Sequence, residues 1–168
     1  MIYVFIFITG VCLGSFYACI GYRIPNKISI VKPSSFCPNC KKSLKWYMNI
    51  PLLSYIFLKG KCAYCKEKIS ITYFLIELTT GILFLISYII FGLNYQLIVV
   101  LTLISALMVS LVTDLKYYYI SDRVIVVSSS LVALTYLKFL GVNPFLSHIL
   151  SGTLMFILMY LLKVITTK

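Results

Sequence analysis

CPNC at positions 37–40 and CAYC at positions 62–65 are two Cys-x-x-Cys motifs separated by 21 residues. Two such motifs at this spacing are typical of four thiolates that surround one zinc ion as a tetrahedron. The spacing is about one residue longer than the usual range, which a flexible insert accommodates. The sequence therefore predicts a structural zinc site with four ligands: Cys37, Cys40, Cys62 and Cys65.

The composition of the chain is that of an integral membrane protein. Of its 168 residues, 61% are hydrophobic and 11% are charged, whereas soluble domains carry about 25% charged residues. Apolar stretches that approach the ~20 residues of a membrane-crossing helix lie at 2–20, 69–91, 95–113, 124–140 and 145–165. Because lipid offers the backbone no hydrogen-bond partner, we expect an all-α membrane protein of about five transmembrane helices.

The positive charges of the chain are concentrated between the first two apolar stretches. The formal net charge is +11, and ten of the 15 Lys and Arg residues lie between Arg23 and Lys68. Loops rich in Lys and Arg stay in the cytoplasm, so we expect the N-terminus outside and the zinc lobe and C-terminus inside. Anionic lipid head groups are the expected partner of this charge, and no motif indicates nucleic acid. A reducing cytoplasm also favours metal binding over disulfides.

The chain is predicted to divide into three parts. Residues 1–20 form the first transmembrane helix, 21–68 a cytoplasmic zinc-binding lobe, and 69–168 a four-helix membrane part. The lobe has too little apolar material for a core of its own, so zinc is expected to supply its stability. Turns are predicted at 92–94 and 141–144 and a short inner loop at 115–123. In the first helix, small residues spaced by about one turn predict close packing of another helix: Gly10, Gly14, Ser15 and Ala18.

Acidic residues are scarce, and two of them are candidates for catalysis. The four acids are Glu67, Glu77, Asp114 and Asp122. Asp114 and Asp122 are predicted at the cytoplasmic ends of the third and fourth helices, where a pair of carboxylates sharing a proton could activate water. Alternatively, Asp122 and the preceding Ser121 cap a helix and Asp114 is a solvated charge. Glu77, inside a helix, either has a function or accepts one structural hydrogen bond.

The order of short motifs resembles that of the type 4 prepilin peptidases. The matching residues are Gly14-Ser15-Phe16, Tyr22-Arg23-Ile24-Pro25, both cysteine motifs, Asn49-Ile50-Pro51, Ser54, Gly60-Lys61, Ile69-Ser70, Tyr73, Glu77, Asp114, Ile120 and Asp122. The resemblance implies a bacterial membrane aspartic protease that removes the leader of pilin-like precursors at the cytoplasmic face. It places the first catalytic aspartate on Asp114. Many members also methylate the new N-terminus with S-adenosylmethionine, through the amino-terminal cytoplasmic part.

Three departures from the family pattern affect the expected activity. Ala18 replaces an asparagine, Ser121 replaces a proline, and the Gly-x-Gly-Asp motif with the second catalytic aspartate is absent from the sequence. The chain stops at Lys168, near where that motif is expected. We therefore expect a truncated form that is inactive alone. The alternative is that Asp122 replaces the missing partner, but Asp122 already has its own place in the pattern.

Two functions remain open at this point. The first is the peptidase, with N-methyltransferase as a second activity, in the bacterial plasma membrane and acting on type IV prepilin or pseudopilin precursors. The second is a non-catalytic, zinc-stapled membrane scaffold or degenerate paralogue that binds such precursors without cutting them. Cleavage of a precursor by the protein, and its loss in Asp114→Ala, distinguishes the two.

Overall fold

The structure of the protein, a computed structural model, describes residues 1–118 and 122–166, except for the side chains of residues 116, 144, 156 and 158–166. The described part is helical, and its few bridges are isolated. Its elements are α1 (Ile2–Arg23), a 3₁₀ helix (Trp46–Asn49), α2 (Leu53–Phe57), α3 (Ile71–Phe91), α4 (Tyr95–Tyr117), α5 (Asp122–Phe139) and α6 (Val142–Thr166). The prediction of an all-α protein with a lobe between its first two long helices is confirmed.

Three of these helices are long and apolar enough to cross a membrane. Among the described residues they are Ile2–Arg23, Ile71–Phe91 and Tyr95–Leu115. Helices α5 and α6 occupy the fourth and fifth predicted stretches, but within the described residues α6 contributes a shorter apolar segment, Phe145–Met155. The architecture therefore fits a multi-pass membrane protein, and length and composition support three of the five predicted crossings.

The inner loop between α4 and α5 is shorter than predicted. The prediction that it begins at Leu115 is wrong, because α4 continues to Tyr117. The residue that caps the helix, Tyr118, has a left-handed φ of 50°, and its N–H donates to the Asp114 carbonyl at 3.1 Å. Helix α5 begins at Asp122. Ser121, the other part of the predicted cap, lies outside the described residues.

The turn before α6 is also shorter than the predicted 141–144. Gly141 has φ +84°, a backbone conformation that favours glycine, and α6 begins at the next residue, Val142. Pro144 therefore lies in the first turn of the helix. A proline is tolerated there because the N–H groups of the first turn have no partner within the helix.

Helices α1, α3 and α4 pack together, and the most extensive contact is that of α1 with α3. A Cβ added to Gly10 would lie 2.9 Å from the Gly81 Cα, and one added to Gly14 would lie 2.9 Å from the Glu77 Cα. Such distances leave no room for a side chain, so the two backbones touch. The close packing predicted from the small residues of α1 is confirmed.

The core of the bundle lies where α1, α3 and α4 meet. Its buried residues are Tyr17, Ala18, Ile76, Met108 and Val109. The Tyr17 hydroxyl donates to the Ser105 Oγ at 2.6 Å and so links α1 to α4 inside an otherwise apolar contact. This pairing satisfies a polar group that would be costly to leave alone.

The end of α4 lies beside the start of the lobe. The Asn26 side-chain amide donates to the Tyr117 hydroxyl at 2.9 Å, across 91 positions of sequence. A Cβ on Gly21 of α1 would collide with the Val112 side chain of α4, so these two helices approach closely at the same level. The last turn of α4, which contains Asp114, therefore stands at the end of the bundle that carries the zinc lobe.

Candidate functional site

The four cysteines of the two Cys-x-x-Cys motifs converge on one point. The sulfur atoms of Cys37, Cys40, Cys62 and Cys65 all lie within 4.8 Å of one another. The Cys37 and Cys65 sulfurs are 3.9 Å apart. A tetrahedron with Zn–S bonds of about 2.3 Å has edges of about 3.8 Å, so this spacing suits a metal at the centre.

The two motifs share one backbone conformation, which explains how they present their sulfurs. The Lys41 N–H donates to the Cys37 carbonyl at 2.9 Å, and the Lys66 N–H donates to the Cys62 carbonyl at 3.0 Å. Both lysines have a positive φ, 58° at Lys41 and 61° at Lys66. Each turn is closed by an isolated antiparallel bridge, Phe36 with Ser43 and Lys61 with Lys68. The lobe is thus a repeat of two similar knuckles, 25 positions apart.

Backbone amides and burial act differently on the two cysteines that lead the knuckles. Hydrogen bonding from the Cys65 amide, assisted by that of Tyr64, lowers the pKa of the Cys62 thiol to about 6. Burial raises the pKa of the Cys37 thiol to about 11. A bound cation deprotonates every thiol that coordinates it, so a metal would overcome the burial of Cys37.

The four cysteine sulfurs fit zinc, and the lobe needs a cross-link of this kind for stability. Four sulfurs in tetrahedral positions are typical of zinc or iron–sulfur sites. Between 24 and 68, the buried residues are Cys37 and Cys62 alone. Cross-linking by a metal would therefore replace the missing apolar core, as the sequence predicted. With four protein ligands the site leaves no position open for a substrate, which indicates a structural role.

Asp114 and Asp122 lie at the same end of the pair formed by α4 and α5. Asp114 is one turn from the end of α4, Asp122 is in the first turn of α5, and both side chains are exposed. Their pairing and their catalytic role stay predictions.

Glu77 is the one buried acid, and it links α3 to the lobe. Its side chain is 8% exposed, and its Oε2 accepts a 2.7 Å hydrogen bond from the Leu52 N–H. Leu52 has φ +59°, a strained value for a residue with a side chain. The predicted structural hydrogen bond of Glu77 is thus present. Its partner could not be read from the sequence, although Asn49-Ile50-Pro51 marks the insert that carries Leu52.

Comparison with known proteins identifies the family. The sequence model for the bacterial peptidase A24 N-terminal domain matches residues 8–91, which include both knuckles, Leu52 and Glu77. The chain belongs to the type 4 prepilin peptidase family. The predicted family is therefore confirmed, and its matched domain extends from α1 through the zinc lobe to the end of α3.

Curated relatives of this prepilin peptidase family member carry both activities in their names. It is 44% identical over 115 residues to a prepilin leader peptidase/N-methyltransferase of Myxococcus xanthus, covering 68% of this chain and 34% of the relative. The enzyme of the same name from Bacillus subtilis is 41% identical over 121 residues, which cover 72% and 49%. A third, from Klebsiella pneumoniae, is 35% identical over 124 residues, which cover 70% and 54%.

The chain spans from a third to about half of the length of these relatives. Names and sequence therefore establish the family. No solved structure matches this prepilin peptidase family member.

Proposed function

We propose that the protein is part of a membrane aspartic endopeptidase that removes the leader from type IV prepilin or pseudopilin precursors. The observation that carries this proposal is the Asn26–Tyr117 hydrogen bond, since it holds the turn of α4 with Asp114 against the zinc lobe. In a member of this family, that arrangement puts a carboxylate at the membrane boundary where a precursor would enter. The family fits a multi-pass inner membrane protein.

Peptide hydrolysis of this type needs two carboxylates that share one proton. Asp114 would accept a proton from water as the water oxygen attacks the scissile carbonyl carbon. The second carboxylate would protonate the leaving amine while the C–N bond breaks. The family places that second group in a Gly-x-Gly-Asp motif, which the 168 residues lack. Asp122 is the alternative partner, although its place in the first turn of α5 also suits a helix-stabilising charge.

A groove between α1, α4 and α5 offers a place for the apolar segment of the precursor. Its volume is about 1130 Å³, and its walls are largely apolar, for example at Leu13, Leu101 and Val127. Lys27 and Arg123 also line it, and both stand where the helices join the lobe or the α4–α5 connection. A precursor helix in this groove would place its leader on the side of Asp114, with the lobe and C-terminus in the cytoplasm.

The lobe would serve the second activity found in the names of the relatives. S-adenosylmethionine would supply the methyl group for the N-terminus that cleavage exposes. Zinc on the four cysteines would hold the lobe in shape without taking part in the chemistry.

The test is cleavage of a prepilin in membranes that contain this chain, alone or co-expressed with the C-terminal half of the Bacillus subtilis relative. We expect cleavage with the added half, lost by at least about a hundredfold in Asp114→Asn. Asp122→Asn is the matched variant, because Asp122 is also exposed at this end of the helices. Cleavage that survives Asp114→Asn would overturn the assignment, and loss of cleavage by the chain alone in Asp122→Asn would make Asp122 the partner. Precursor binding without cleavage in every combination would favour the scaffold.

A further inference from the structure

A cavity of about 400 Å³ lies between the zinc lobe and the adjoining ends of α1 and α3. Its size falls in the range of small-molecule sites, about 300–1,000 Å³. Aromatic rings of α1, the lobe and α3 line it: Tyr22, Phe36, Tyr55, Tyr73 and Phe74. Cys37 and Cys62 also line it, so the metal-tied knuckles form one wall.

Glu77 is the buried acid that faces this cavity. The other three acids of the chain are exposed. Two neutral donors act on the Glu77 carboxylate, the Leu52 amide at 2.7 Å and the Ser15 hydroxyl, and no cation of the described residues is among them. Arg23 also lines the cavity, but its guanidinium donates to carbonyls of the lobe at Ser29, Ile30 and Ser34. The other charged residues of the lining, Glu67 and Lys68, are both exposed, and neither is paired with Glu77. The cavity therefore contains a carboxylate without a cationic partner in the described part of the chain.

We propose that this cavity is the binding site of the methyl donor, with the Glu77 carboxylate facing the sulfonium of S-adenosylmethionine. This inference rests on the methyltransferase half of the proposed function. A carboxylate in a cavity lined by aromatic rings suits a large, weakly hydrated organic cation, which gains from both the charge and the ring faces. A hard metal ion is a poor fit, because it requires six or more oxygen ligands.

The fit depends on groups that the two knuckles and the insert position together. The Tyr55 hydroxyl donates to the Ile69 carbonyl at 3.3 Å, and the Tyr55 ring stacks at a tilt on Phe74 with centroids 5.4 Å apart. The Leu52–Glu77 hydrogen bond fixes the insert that carries Tyr55 to α3. The aromatic wall and the carboxylate are therefore held in place from both sides of the cavity.

The experiment measures binding by calorimetry, with the zinc-loaded full chain in detergent and three ligands. S-adenosylmethionine and sinefungin carry a positive charge at the position of interest, and S-adenosylhomocysteine carries a neutral thioether. We expect the charged ligands to bind at least about tenfold more tightly than the thioether to the wild-type protein. This comparison needs no variant, so it holds whether or not a substitution folds.

Glu77→Gln tests the residue itself. Glutamine retains an acceptor for the Leu52 N–H but loses the charge. The affinity for S-adenosylmethionine should therefore fall to that for S-adenosylhomocysteine, and the affinity for S-adenosylhomocysteine should stay constant. Glu77→Asp retains the negative charge, so the preference for the positively charged ligands should remain. Ser87→Ala is the control on α3, because the Ser87 hydroxyl bonds to the carbonyl of Leu83, away from the cavity.

The outcomes separate this site from the proposed function. Equal binding of the sulfonium and the thioether to the wild-type protein, or a preference that survives in a folded Glu77→Gln protein, overturns the site. If the wild-type protein prefers S-adenosylmethionine and Glu77→Gln does not change that preference, the methyltransferase activity is supported but the methyl donor binds outside this cavity. Absence of binding by all three ligands would refute both the methyl-donor site and the methyltransferase activity. The peptidase activity is tested separately, by precursor cleavage.

Discussion

The guanidinium of Arg23 lies 5.7 Å from the centre of the ring of Phe36, the residue directly before Cys37. Arg23 is 3% exposed and donates three hydrogen bonds to lobe carbonyls, at 2.8 Å to Ser29, 3.1 Å to Ile30 and 3.2 Å to Ser34. The last residue of α1 thus holds the loop that leads to the first knuckle. One side chain therefore couples α1 to the loop that leads to the four-cysteine cluster.

We predict that Arg23→Lys loosens this loop. A lysine has one ammonium and cannot reach three carbonyls with the fixed fork of a guanidinium, so the loop loses hydrogen bonds worth about 1.5–3 kcal/mol each to a charged donor. The measurement is the rate of proteolysis between 27 and 36 in detergent, together with the thermal midpoint. Lys32→Gln is the control, because Lys32 is an exposed cation of the same loop. Equal protection in Arg23→Lys and the wild-type protein would contradict the prediction.

Metal removal should unfold the lobe and spare the helices. We expect one zinc per chain, and chelation or Cys62→Ser should expose the lobe to protease because two buried cysteines supply its only interior. Helicity by circular dichroism should change little, since the long helices lie outside the lobe. Cys12→Ser is the control, as Cys12 is exposed on α1 away from the cluster. Iron in place of zinc, or a metal-free lobe that resists protease, would show that the assignment is wrong.

The helices could be predicted from sequence because apolar runs and their breaks are local signals. Gly92 and Asn94 interrupt the run between α3 and α4, and the structure places the helix ends at the adjoining residues, Phe91 and Tyr95. The end of α4 was predicted too early, because Asp114 and Lys116 resemble the start of a loop. Polar residues at a membrane boundary can still continue a helix, and here they do.

The sequence could not reveal the contacts that join the lobe to the bundle. Leu52 and Glu77 are 25 positions apart, and nothing local marks a leucine amide as the partner of a carboxylate. Arg23 was counted among ten cytoplasmic positive charges, yet it is buried, because only the folded loop supplies the carbonyls that it needs. The cysteine cluster was predictable for the opposite reason, since its ligand spacing carries the geometry.

The lobe and the α4–α5 connection should be reached from the same side of the membrane. The Asn26–Tyr117 hydrogen bond places the end of α4 at the start of the lobe, so the exposed Arg123 shares that side. Trypsin should cut after Arg123 and after lysines of the lobe in inverted membrane vesicles, and at neither place in right-side-out vesicles. Cleavage of the two regions from opposite sides would refute both the contact and the orientation proposed for Asp114.

The α1–α3 contact predicts opposite effects for one substitution at two helical glycines. A Cβ at Gly14 would lie 2.9 Å from the Glu77 Cα and 2.9 Å from the Thr80 Oγ1, whereas Gly152 on α6 has open space around it among the described residues. Gly14→Ala should force the helices apart at a cost of about 1–3 kcal/mol. Gly152→Ala should gain up to about 1 kcal/mol, because alanine favours a helix over glycine. The thermal midpoints of the two variants in the same detergent give the sign of each change in stability. A Gly14→Ala protein as stable as Gly152→Ala would mean that the backbones of α1 and α3 do not touch at Gly14.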